Sequence, residues 1–170
     1  MCINWTAISF SWYIMGFYIH YFHGNLFINT MLLGMADVFA NMLTRSFQVL
    51  STTRFIFLIS FIFVSIVSIV YLIFSSHYVM VPICIVLMRA GITVGLSLSY
   101  FGNSEYFLPQ FTSTVFGATN FPASFATIFI PLLTETLKQP VYFIPPICII
   151  AAITSLMLRK PDIPKIVAFE

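Results

Sequence analysis

Two ionisable side chains, Asp37 and Arg89, lie inside long apolar runs of this 170-residue chain. A charge at the centre of a bilayer costs about 2.5–3.5 kcal/mol on insertion scales, so such groups are kept where they bind, gate, relay protons or pair. Asp37 stands about 11 residues into its run and Arg89 about 8. At a rise of about 1.5 Å per residue the depths differ by roughly 4–5 Å, within reach of an arginine side chain. Two readings are open. Both charges stand on a solute pathway, as binding charge, gate or proton relay, or they form a mutual ion pair that only holds two helices together.

Other chemistry-bearing residues are sparse. His20 and His23 have i, i+3 spacing, but a metal needs further ligands and no others lie nearby. They read as interfacial histidines, and Glu105, Glu135 and Lys138 as loop charges. Cys2, Cys84 and Cys148 are far apart in apolar sequence, which gives neither a disulfide framework nor a zinc spacing. No glycine-rich phosphate loop, paired carboxylates or Ser/His/Asp set is present, so no enzyme, cofactor or metal is expected. A net charge of +2 without a basic run gives no reason to expect nucleic acid.

The elements that must position Asp37 and Arg89 follow from composition. Hydrophobic residues make up 60% of the chain and charged residues 7%, with a mean hydropathy of +1.02. Such a chain uses lipid as its solvent. A spanning helix needs about 20 mainly apolar residues. Six stretches qualify: 3–21, 26–43, 55–74, 81–101, 113–133 and 141–158. Polar breaks separate them, at His23-Gly24-Asn25, Thr44 to Arg54, Ser75-Ser76-His77, Gly102 to Thr112 and Thr134 to Pro140. The expectation is one all-α membrane domain over residues 1–170.

Charge placement agrees with six spans. With the N-terminus cytoplasmic, inside segments hold Arg45, Arg54, Arg159, Lys160 and Lys165, against Lys138 outside. Cytoplasmic loops are enriched in Lys and Arg, so both termini are expected inside.

Polar residues form stripes at helical spacing. Thr30, Gly34, Asp37 and Asn41 share one face of the second span. Arg89, Thr93, Ser97 and Tyr100 repeat the offsets in the fourth, and Asn120, Ser124, Thr127 and Pro131 in the fifth. The first span has a weaker stripe of Trp5, Ser9, Trp12 and Gly16. Lipid satisfies no hydrogen bonds, so these stripes must meet one another or water. Gly91-xxx-Gly95 reads as close helix packing. The third span is apolar apart from small serines and the sixth is similar, which predicts four inner helices and two turned to lipid. Pro122 and Pro131 interrupt the fifth span and Pro145-Pro146 the sixth, where bends are expected.

The run GNLFINTMLLGMADVF, from Gly24 to Phe39, resembles the helix seven to helix eight region of the organic cation and anion transporter branch of the major facilitator superfamily. That region reads roughly G-N/D-L/I-Y-L-N/D-x-x-x-x-G/A-x-x-E-L/I-P. Gly24, Asn25, Leu26, Asn29, Gly34 and Asp37 match, and Phe39 stands in place of the usual proline. RAGIT, from Arg89 to Thr93, resembles the branch's helix ten motif, and NSEYF, from Asn103 to Phe107, the loop that follows. The likeness departs from the pattern at Leu108, Pro109 and Thr112. It also departs between the second and third spans, where Arg45 and Arg54 alone remain of a basic cluster. Sugar porters are a close competitor.

The resemblance implies the C-terminal six-helix half of a carrier for a small organic solute, working by alternating access. Spans one, two, four and five would form one cavity wall, with the third and sixth outside. Asp37 and Arg89 would set its electrostatics, Asn29, Trp12 and Ser124 would line it, and Glu105 would help latch the cytoplasmic side. Ser124 stands where cation carriers have an aspartate and anion carriers an arginine, which leaves solute charge open. An opposing half is required, so the chain is expected to dimerise, pair with another chain, or be a fragment. The start at Met1, nearly inside the first span, favours the fragment. The rival from another class is a degenerate half that transports nothing and binds lipid or partner subunits.

Overall fold

The structure is a computed structural model that describes residues 1–19, 26–75, 77, 80–137 and 139–158. Its helices are α1 (Cys2–Tyr18), α2 (Leu26–Leu50), α3 (Thr53–Ile73), α4 (Met80–Tyr106), α5 (Pro109–Ile128), α6 (Ile130–Thr136) and α7 (Ile144–Leu156), with a 3₁₀ turn at Pro140–Phe143 before α7. No strand occurs among the described residues. Among the described residues, four helical stretches are long and apolar enough to cross a membrane: Leu26–Val49, Thr53–Ile73, Met80–Tyr106 and Pro109–Thr136. Pro140–Leu156 is a shorter apolar helix, and α1 has 17 residues, about 25 Å of rise against a core of about 30 Å.

Helix ends differ from the hydropathy boundaries. The predicted break from Thr44 to Arg54 is helical as far as Leu50, leaving Ser51 and Thr52 as the link to α3. Thr44 is buried and donates to the carbonyl of Ala40 at 2.8 Å, so a polar side chain is satisfied within the helix it was expected to end. α4 likewise continues through Gly102 to Tyr106, and α5 begins at Pro109. Hydropathy marks where a helix leaves apolar surroundings, not where its backbone stops.

Prolines punctuate the second half of the chain. They stand in the first turn of α5, α6, the 3₁₀ turn and α7, where a missing N–H costs no helical hydrogen bond. The predicted fifth span is divided at Phe129, which separates α5 from α6. Pro131 has no N–H for the Thr127 carbonyl and crowds it, which interrupts the ladder there. Pro122 is accommodated inside α5.

Two-residue links join α2 to α3 and α4 to α5. α3 lies against α7 and α4, α2 against α4, and α1 touches α4, α5, α6 and α7. Buried Ile8, Ile14 and Met15 of α1 share one core with Phe57, Phe61 and Val64 of α3 and Met88 and Leu98 of α4. Gly91 lets α3 approach α4: a Cβ there would stand 2.6 Å from Val64 Cγ2. The Ser60 hydroxyl donates to the Gly91 carbonyl at 2.6 Å. Gly95 faces α1 instead, 3.2 Å from Ile8 Cδ1 by the same construction.

The expected division into inner and outer helices is corrected in one respect. α3 is half buried, whereas α2 and the Pro109–Thr136 stretch are the least buried of the four long helices. α3 turns Phe57, Phe61 and Val64 inward and Ile59, Ile62 and Ile66 outward. A helix apolar all round can face core and lipid at once, so uniform apolarity did not mark it as peripheral.

Candidate functional site

Arg89 projects from the middle of α4 and is 5% exposed. Its Nε donates to Asp37 Oδ1 and its Nη2 to Asp37 Oδ2, each at 2.9 Å. This two-pronged pairing is the geometry that guanidinium and carboxylate favour. The third nitrogen, Nη1, donates to the backbone carbonyl of Trp12 at 3.1 Å. Thr93, one turn along α4, donates its hydroxyl to Asp37 Oδ1 at 2.5 Å. The Asp37 carboxylate is therefore engaged at both oxygens and the guanidinium at all three nitrogens. The pair is electrically neutral as a unit. A turn further on, Ser97 donates to Asn41, which extends the polar seam between α4 and α2.

Trp12 joins this seam to a groove. The Arg89 guanidinium lies 4.0 Å from the centre of the Trp12 ring, a cation–π contact. The same tryptophan lines a groove of about 390 Å³ between α1, α4 and α5. α1 contributes Trp5, Ser9, Trp12 and Tyr13, and α4 contributes Leu96 and Tyr100. Asn120, Ser124 and Thr127 come from α5, beside Phe116 and Ala123. Trp5 packs edge-on against Tyr100 and Phe116, both with ring centres 5.0 Å away. Its indole Nε1 donates to Asn120 Oδ1 at 3.2 Å, across from α1 to α5. The lining is aromatic and hydroxylic and, among the described residues, contains no charged side chain.

The sequence candidates thus separate into three places. Asp37 and Arg89 form the ion pair, with Trp12 against it, and Trp12 and Ser124 line the groove. Asn29 is not brought there. It lies eight residues before Asp37, about 12 Å along α2, in a small cavity with Ile19, Leu33, Pro82 and Ile85. Its Nδ2 is buried and has no hydrogen-bond partner among the described residues. Glu105 is near the Tyr106 end of α4 and accepts from the Thr53 hydroxyl at the start of α3. An open pocket of about 280 Å³ beside it is lined by Gln48, Ser51 and Thr52. His20, His23, Lys138, Arg159, Lys160 and Lys165 lie outside the described residues. Among the described residues, no three His, Cys, Asp or Glu come together as a metal site.

Trp5, Tyr100, Phe116 and Asn120 were not singled out as site residues. The stripes of α1 and α5 already contained the signal, since Trp5, Ser9 and Trp12 share a face, as do Asn120, Ser124 and Thr127. What was missing was the pairing of α1 with α5. No protein-family model matches the chain, and no curated protein does.

Proposed function

We propose that this chain is one six-helix half of a solute carrier of the major facilitator type, moving a small organic solute by alternating access. The observation that carries the reading is the groove of about 390 Å³ between α1, α4 and α5, with Asn120, Ser124, Ser9 and five aromatic rings on its walls. Polar groups at this depth gain nothing from acyl chains and need water, solute or protein opposite them. α3 and α7 pack on each other and against α4 and α1, two of the helices that line the groove. The motif likeness at Gly24 to Phe39, Arg89 to Thr93 and Asn103 to Phe107 supports the same reading.

In this reading both termini are cytoplasmic, and a second chain or further sequence supplies the opposing half. Trp12 and Ser124 face the solute, the Asp37–Arg89 pair holds Trp12 and joins α2 to α4, and Glu105 helps latch the cytoplasmic side. Saturable uptake by vesicles containing the purified chain, absent from protein-free vesicles, is the expected result. Absence of flux for organic cations, organic anions, sugars and uncharged aromatic amides alike would end the proposal.

One observation favours a second reading. α2 exposes Phe27, Met31, Met35 and Met42, and α5 exposes Phe121 and Phe125, surfaces that would suit a membrane interaction protein binding partner helices without moving solute. Specific co-purification of a partner, with no flux, would support it.

A further inference from the structure

We infer that the groove takes an uncharged, flat aromatic or heteroaromatic solute bearing a carbonyl or hydroxyl group. The inference rests on the groove being the solute-facing wall proposed above and adds the chemical class.

Charge selection is the first consideration. A carrier for ions needs an opposite charge at its site, because a desolvated ion without a partner is strongly disfavoured. Among the described residues, no Asp, Glu, Lys or Arg lines this groove. Asp37 and Arg89, which reach the groove through Trp12, are engaged with each other, with Thr93 and with the Trp12 carbonyl. An aromatic cage can instead hold an alkylammonium through its ring faces. Here the Trp12 ring already carries the Arg89 guanidinium at 4.0 Å, so that ring face is taken. An organic anion meets no cation that is free to receive it.

The groove offers stacking surfaces and neutral hydrogen bonds. Trp5, Trp12, Tyr13, Tyr100 and Phe116 give rings for offset or edge-on contact with a planar solute. The hydroxyls of Ser9 and Ser124 and the amide nitrogen of Asn120 make no hydrogen bond with the described residues. Asn120 uses only its oxygen, for Trp5. These donors suit a carbonyl or hydroxyl on the solute. A volume of about 390 Å³ is at the small end of ligand sites, enough for one or two rings.

The chain contains two tryptophans, Trp5 and Trp12, and both line the groove. Their emission therefore reports its occupancy. The test uses the whole chain in lipid nanodiscs and three probes that share one ring: benzamide, benzoate and benzyltrimethylammonium. The expected result is saturable benzamide binding with a shift of tryptophan emission, and at least tenfold weaker binding of both charged probes. Equal or tighter binding of either charged probe, or no saturable binding of any, would overturn the inference.

Unpairing the charges gives a second test. Asp37→Asn leaves the guanidinium alone and should strengthen benzoate binding several-fold. Arg89→Gln should do the same for benzyltrimethylammonium, and the double variant should return to the neutral order. Single variants that leave the charged probes unmoved count against the inference, and where they fail to fold, the wild-type order of the three probes decides alone. Neutral preference without vesicle flux would remove the transport reading and leave this one. Flux of a charged solute would do the reverse.

Discussion

The guanidinium of Arg89 lies 4.0 Å from the centre of the Trp12 ring, and its Nη1 donates to the carbonyl of that same residue. One side chain thus holds both the ring and the backbone of a groove residue, while its other two nitrogens hold Asp37 on α2. The pair is therefore both a fastener between helices and a support for the groove wall.

Breaking that pair on one side should be costly. Asp37→Asn leaves a buried guanidinium uncompensated and is expected to destabilise by about 3 kcal/mol, the lower end of the usual range because the Asp37 side chain is 27% exposed. The double variant Asp37→Asn/Arg89→Met should recover most of the loss. Thermal unfolding in detergent reads both, and a double variant no more stable than the single would show that the charges do not compensate each other.

The Asn120–Trp5 bond ties α5 to α1 at the groove. Asn120→Ala should leave the fold within about 1 kcal/mol of wild type, since the bond is neutral and Asn120 is exposed. Benzamide binding should fall at least tenfold, and tryptophan emission should shift to the red. Unchanged binding would remove Asn120 from the site.

Gly91 and Gly95 differ in what opposes them. Gly91→Ala brings a methyl group against Val64 of α3 and should cost about 1–3 kcal/mol. Gly95→Ala meets the end of the Ile8 side chain, which can yield, and should cost less. Melting temperatures in the reverse order would contradict the packing described.

Much of this was legible in the sequence, and some was not. The all-helical class and the place of Asp37 and Arg89 within long apolar helices follow from hydropathy, because an apolar run of fixed length constrains a membrane helix strongly. The partner of Arg89 was reachable from rise per residue alone. Helix ends at Leu50 and Tyr106 were not legible, because Thr44 and Gly102 are compatible with helix once their side-chain partners and neighbours are known. Nor was the groove: α1 and α5 are more than ninety residues apart in sequence, and periodicity shows which residues share a face but not which helix that face meets. Asn29 illustrates the remaining difficulty, since a short motif places a residue on a helix without fixing its height relative to a groove.

Glu105 and Thr53 join the end of α4 to the start of α3. Glu105→Ala removes the charged acceptor and should cost about 1.5 kcal/mol, near the lower limit for bonds to charged groups, because Glu105 is partly exposed. The effect should be local. Hydrogen exchange of the first-turn amides of α3 should accelerate while those of α7 stay protected. Equal protection in variant and wild type would mean that other contacts hold the start of α3.

The span of chain between Asp37 and Arg89, 52 residues, sets an order on biogenesis. α2 is synthesised before its counter-charge exists, and a lone carboxylate in the bilayer bears the full penalty of burial. Pairing with Arg89 offsets that penalty only once α4 has been made, so the second helix gains its full stability in the membrane after the fourth.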